Sequence, residues 1–133
     1  MNVMWKSLAL AAFVYALPAA AQSGQFPATP QGKLAAGFFA AVNSTDEEAL
    51  AAFQDANFSE AALKRRPREQ RIALGRQLRE QAGQLTLKGV TASSPTQIVA
   101  TATGSNLPAS EVLTISFTFT GGGTPKIDAV TIN

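Results

Sequence analysis

Residues 113–120, Leu113-Thr114-Ile115-Ser116-Phe117-Thr118-Phe119-Thr120, alternate a large apolar residue with a hydroxyl residue at every step. A period of two belongs to a β-strand, whose successive side chains point to opposite faces. Burying Leu113, Ile115, Phe117 and Phe119 contributes about 1.5–3 kcal/mol per side chain before the entropy of ordering is counted. A register slip of one residue would expose all four, so it cannot compete. The apolar side must face a core, which leaves Thr114, Ser116, Thr118 and Thr120 on the outside.

The same period extends to either side of this strand. Leu85 and Leu87 alternate with Thr86 and Lys88, and Ile98, Ala100 and Ala102 with Val99, Thr101 and Thr103. Ile127 to Ile132 supplies a fourth strand. Gly104-Ser105-Asn106 and Gly121-Gly122-Gly123-Thr124-Pro125 carry the residues that turns require.

Before Gly83 the period is helical. Thr29-Pro30 offers a capping hydroxyl followed by a proline suited to the first helical position. Leu34, Phe38 and Val42, with Ala35 and Phe39 one step round, form an apolar face that ends at Asn43. Ser44 or Thr45 is then expected to cap a second helix, because Glu47 and Glu48 stand three residues after each of them. Ala49, Leu50 and Phe53 form its buried side. A third helical stretch opens near Ser59, is broken at Pro67, and resumes through Leu74, Leu78 and Ala82 to a terminating Gly83. Helices followed by four consecutive strands on short turns predict the α+β class. The N-terminal helices are expected on one face of a curved, cone-like four-stranded antiparallel sheet.

Residues 1–21 read as an export signal: Lys6, an apolar run from Leu8 to Leu17, Pro18, and a small-residue cleavage site at Ala19-Ala20-Ala21. The apolar run is shorter than the roughly 20 residues a spanning helix needs. Residues 22–28 read as a linker and 29–133 as one domain. The expectation is an exported chain, periplasmic or secreted, with no stable membrane anchor.

Removing residues 1–21 also removes Trp5, Tyr15, Met1, Met4 and Lys6, leaving no His, Cys, Trp, Tyr or Met. With Lys6 gone, ten basic residues face nine acidic ones. Acyl-transfer chemistry normally pairs a nucleophile with a histidine base, and neither His nor Cys is present. Metal and cofactor sites are not expected, because imidazole and thiolate are missing and Asp46-Glu47-Glu48 suits the start of a helix. One acid–base route survives, a carboxylate held in an apolar pocket, with Asp128 as candidate catalytic residue.

The basic run Lys64-Arg65-Arg66-Pro67-Arg68-Glu69-Gln70-Arg71 has no interleaved aromatic for base stacking. Arg65 with Glu69 and Arg76 with Glu80 stand four apart, as on a solvated helix face. Nucleic acid is therefore not an expected partner. The outward hydroxyls Thr114, Ser116, Thr118 and Thr120 have two readings. They are either a wet sheet face or a partner surface, for a homodimer or for another exported protein.

The order of these parts resembles small bacterial exported modules of nuclear transport factor 2-like (cystatin-like) fold, similar to those preceding secreted serine hydrolase domains. The resemblance rests on Thr29-Pro30, Phe38-Phe39, Asn43-Ser44, Leu50-Ala51-Ala52-Phe53, the run Gly83 to Val90 and the run Ser93 to Ala100. It covers roughly residues 29–132, and it implies a curved sheet wrapped round helices with an apolar mouth. Enzymes of that fold place Asp, His or Tyr inside the cone, and none transfers here by position.

A ligand pocket is expected to be lined by Phe38, Phe53, Leu78, Leu87, Ile98, Ile115 and Phe117. The same phenylalanines could equally fill the cone. Two functional classes follow, a non-catalytic binding or interaction module and a small enzyme using one buried carboxylate as general base.

Overall fold

A computed structural model describes residues 24–133; the expected export signal lies outside the described residues. Four helices, α1 (Pro30–Asn43), α2 (Glu47–Asn57), α3 (Glu60–Arg65) and α4 (Arg68–Ala82), precede four strands, β1 (Leu85–Ser94), β2 (Gln97–Gly104), β3 (Leu113–Phe119) and β4 (Ile127–Ile132). The sheet runs β1-β2-β3-β4 with every neighbouring pair antiparallel, so the class is α+β. Among the described residues the sheet is open, with β1 and β4 as its edges.

The helix boundaries follow from capping chemistry. Thr29 accepts a hydrogen bond from the Gly32 amide at 3.0 Å, and Pro30 opens α1. Asp46, rather than Ser44 or Thr45, caps α2 by accepting from the Glu48 amide at 3.0 Å. The Ser44 hydroxyl is already occupied by the Asp46 amide at 3.1 Å. An acidic cap also complements the helix dipole, which a hydroxyl does less well. Pro67 divides the third helical stretch into α3 and α4 and stands at the N-terminal boundary of α4, with no side-chain capping bond; its backbone carbonyl accepts from the Arg71 amide at 3.0 Å. Gly83 ends α4 with φ 75°, a region that favours glycine.

The third strand has the two faces its sequence demands. Ile115 stands between Ala100 and Ile132, and Phe117 between Ile98 and Val130. Ile98, Ala100, Ile115, Phe117 and Ile127 are fully buried. Phe117 is the hub, meeting Phe38 of α1 edge-on at 5.6 Å between centroids and stacking on Phe119 at 6.3 Å.

Two features depart from the expectation. Phe26, in the segment read as linker, packs edge-on against Phe39 at 5.2 Å and Phe117 at 6.2 Å. The polar residues around it disguise an aromatic whose burial outweighs the cost of ordering the backbone there. Asn43, read only as a helix end, donates to the Leu85 carbonyl at 2.9 Å and accepts from the Leu85 amide at 2.8 Å. It thereby acts as a pairing partner for the first residue of edge strand β1.

Candidate functional site: a cleft between the helices and the β4 edge

The register of β4 is where the site begins. Thr118 pairs with Ala129 but Phe119 pairs with Ile127, which makes Asp128 the extra residue of a bulge. Bulges re-aim side chains, and here both Ile127 and Asp128 reach the helix side. Ile127 forms an isolated bridge with Phe58. Asp128 Oδ1 accepts from the Ser59 hydroxyl at 2.6 Å. That same hydroxyl caps α3 by accepting from the Ala62 amide at 3.1 Å. Arg65, at the end of α3, donates to the Asp128 backbone carbonyl, and its guanidinium lies 4.0 Å from the Asp128 carboxylate.

Opposite β4, helices α2 and α4 run antiparallel. Gly75 allows close approach, since a Cβ there would collide with Leu50 Cδ2. One turn away Arg71 is buried at 7% exposure. Its Nε donates to the Arg66 carbonyl at 3.0 Å, its Nη1 to Gln54 Oε1 at 3.2 Å and its Nη2 to Asp55 Oδ1 at 3.0 Å. A buried guanidinium needs such acceptors to offset its desolvation.

Between these walls lies a cleft of ≈ 520 Å³. Its apolar lining includes Phe38, Leu50, Leu74, Leu78, Val130 and Ile132, and its polar lining Gln54, Arg65, Arg66, Arg71 and Asp128. Leu74 on its wall is 40% exposed, an unusual state for a large apolar side chain.

Of the residues expected to line a pocket, Phe38 and Leu78 do so. Ile98, Ile115 and Phe117 are fully buried on the inner sheet face instead. Leu87 and Phe53 pack partly buried against the core, with Phe53 over Gly37. The reason is the docking of Phe38 onto Phe117, which fills the space above the sheet centre. The opening is displaced to the β4 edge, where the break at Pro67 and the bulge at Asp128 prevent close packing. Leu50, Leu74, Val130 and Ile132 join the lining although they are not among the expected pocket residues; in the sequence the first two read only as apolar helix faces, and the alternation of β4 was the available signal for the last two.

The basic run is not simply a solvated face. Arg68 reaches Glu48 at 2.5 Å and Asp55 at 3.7 Å, and Arg76 grips Glu47 through Nε and Nη2 at 2.6 and 3.0 Å. These partners lie on α2: Arg76 pairs with Glu47 and not with Glu80 four residues on, and the break at Pro67 puts Arg65 and Glu69 on different helices. The Arg76 hydrogen bond holds the Glu47 carboxyl below its ordinary range, and the Glu48 bond raises Arg68.

Asp128 lies on the cleft wall with its side chain 36% exposed, fixed by one hydroxyl and close to one cation. Among the described residues no group of three or more His, Cys, Asp or Glu is placed to hold a metal ion, and no helix is long and apolar enough to cross a membrane.

On the outer sheet face Thr114 stands opposite Thr101, Ser116 between Val99 and Thr131, and Thr118 between Gln97 and Ala129. Thr120 follows the strand and accepts from the Lys126 amide at 3.0 Å, closing the hairpin loop.

No family model matches the chain, and neither curated proteins nor solved structures yield a match.

Proposed function

We propose that the chain is an exported, non-catalytic binding module of nuclear transport factor 2-like type, and that the cleft at the β4 edge receives the apolar part of a small ligand. The observation that carries this reading is the cleft itself. Its ≈ 520 Å³ falls within the roughly 300–1,000 Å³ of small-molecule sites. Its walls are mainly apolar, with a few convergent polar groups at one end, the composition such sites share.

The test uses the neutral apolar dye N-phenyl-1-naphthylamine, which brightens when it leaves water. Saturable fluorescence accompanied by thermal stabilisation is expected of the unmodified chain. Leu78→Trp, which fills the cleft with a larger ring, is expected to abolish both signals. Asp128→Asn is expected to leave both intact. In the competing reading, where Asp128 is a general base, Asp128→Asn would instead remove a measurable turnover.

A second reading concerns the outer sheet face. Phe38 of α1 packs on the inner-face residue Phe117, and along β3 the outer residues Thr114, Ser116 and Thr118 carry no charge. Uncharged sheet surfaces resist association poorly, which favours a partner surface there, for a second copy or another exported protein. Sedimentation at high micromolar concentration is expected to show a dimer that Thr118→Arg dissociates; a monomer throughout would count against the homodimer.

A further inference from the structure

The cleft is polarised along its length. Arg65, Arg66, Arg71 and Asp128 gather where α3 gives way to α4, while Leu78 and Ile132 lie farther along α4 and β4. Arg71 and Leu78 are seven residues apart on one helix, about 10 Å at 1.5 Å per residue. Asp128 and Ile132 are four apart on one strand, about 13 Å at 3.3 Å per residue. The trough therefore has a cationic head end and an apolar tail end.

Three guanidinium groups line the head end; Arg71 is paired with Asp55 at 3.0 Å and Arg65 lies 4.0 Å from Asp128, so among the described residues the cation left without a carboxylate is that of Arg66. The Arg66 side chain is exposed and, among the described residues, makes no ion pair. Arg71 is buried and held rigid by three acceptors, yet a guanidinium carries five N–H donors. A fixed cation beside a free one, at the end of an apolar trough, is an arrangement that complements an anion with a hydrocarbon tail.

We infer that the ligand is an amphiphile with an anionic head and one apolar chain. The head sits among Arg65, Arg66 and Arg71, and the chain runs towards Leu78 and Ile132. This inference rests on the binding reading above and adds to it the chemical class of the ligand.

The test is isothermal titration of the full chain, at fixed ionic strength and below micelle-forming concentrations. The four probes are decanoate, decan-1-ol, decyltrimethylammonium and acetate. Decanoate is expected to bind about tenfold or more tighter than decan-1-ol, as a charge-assisted hydrogen bond implies. Decyltrimethylammonium is expected to bind more weakly than either, and acetate not measurably. The variant Arg66→Gln, at an exposed position whose side chain makes no ion pair among the described residues, is expected to bring decanoate most of the way down to the level of decan-1-ol without changing decan-1-ol binding or the melting temperature. Binding of decan-1-ol equal to decanoate would overturn the anionic head while leaving the binding reading in place. Acetate matching decanoate would overturn the tail. Failure of all four probes together with N-phenyl-1-naphthylamine would overturn the binding reading itself.

Discussion

The Ser59 hydroxyl donates to Asp128 Oδ1 at 2.6 Å while it accepts from the Ala62 amide, so one side chain both caps α3 and anchors the bulge of β4. Removing it strips a helix cap and leaves the carboxylate without its donor. Ser59→Ala is therefore expected to cost about 1–3 kcal/mol in urea denaturation. Asp128→Asn keeps an oxygen that can accept the same bond and is expected to cost less than about 1 kcal/mol. Equal losses for the two variants would show that the hydroxyl does not join the two elements.

Phe117 holds the core together through Phe26, Phe38 and Phe119. Phe117→Ala is expected to cost about 3–5 kcal/mol, the range for a buried phenylalanine. Phe26, only partly buried, is expected to cost roughly half as much when truncated. A neutral Phe26→Ala in thermal denaturation would return residues 22–28 to the role of linker.

The chain's architecture was legible wherever local periodicity and global burial agree. β3 alternates cleanly, and the structure buries Ile115, Phe117 and Phe119 as that alternation requires. Pro67 and Gly83 act where proline and glycine chemistry says they should. The position of the cleft was not legible, because it depends on which phenylalanine meets which. Phe38 docks on Phe117 and closes the sheet centre, a long-range choice that no local pattern encodes. Arg71 escaped for a related reason: its acceptors Gln54 and Asp55 lie on another helix, so a basic run looked uniformly solvated. The bulge that turns Asp128 towards the helices has no glycine to announce it.

Two glycines separate stability from ligand binding. A Cβ at Gly75 meets only the flexible end of Leu50, which lines the cleft and can yield into it. A helix-interior alanine gains about 0.5–1 kcal/mol over glycine, which offsets the cost of displacing Leu50. Gly75→Ala is thus expected to melt within a few degrees of the unmodified chain while binding N-phenyl-1-naphthylamine several-fold more weakly. A Cβ at Gly104 meets the Ala82 backbone carbonyl, which cannot move without disturbing α4. Gly104→Ala is expected to lower the melting temperature clearly. Unchanged dye affinity in Gly75→Ala would place the bound dye away from Leu50.

The Glu47–Arg76 pair gives a pH dependence of definite sign. The guanidinium lowers the folded-state value of Glu47, so the pair's contribution is complete above the ordinary glutamate range near roughly 4.3. It is lost as pH falls through the lower folded value. The gap in denaturation midpoint between the unmodified chain and Glu47→Gln is expected to be widest near neutrality and to close on acidification. Because both groups are exposed, added salt is also expected to narrow it. A gap that persists below that range would mean that Glu47 acts through packing and not through charge.

Amide chemical shifts followed by NMR while the chain is titrated with N-phenyl-1-naphthylamine test the location of binding directly. Saturable shifts concentrated at Leu50, Gln54, Leu74, Leu78, Val130 and Ile132 are the predicted result. Shifts that cluster instead at Thr101, Thr114 and Ser116 on the outer sheet face, or none at all, would contradict it.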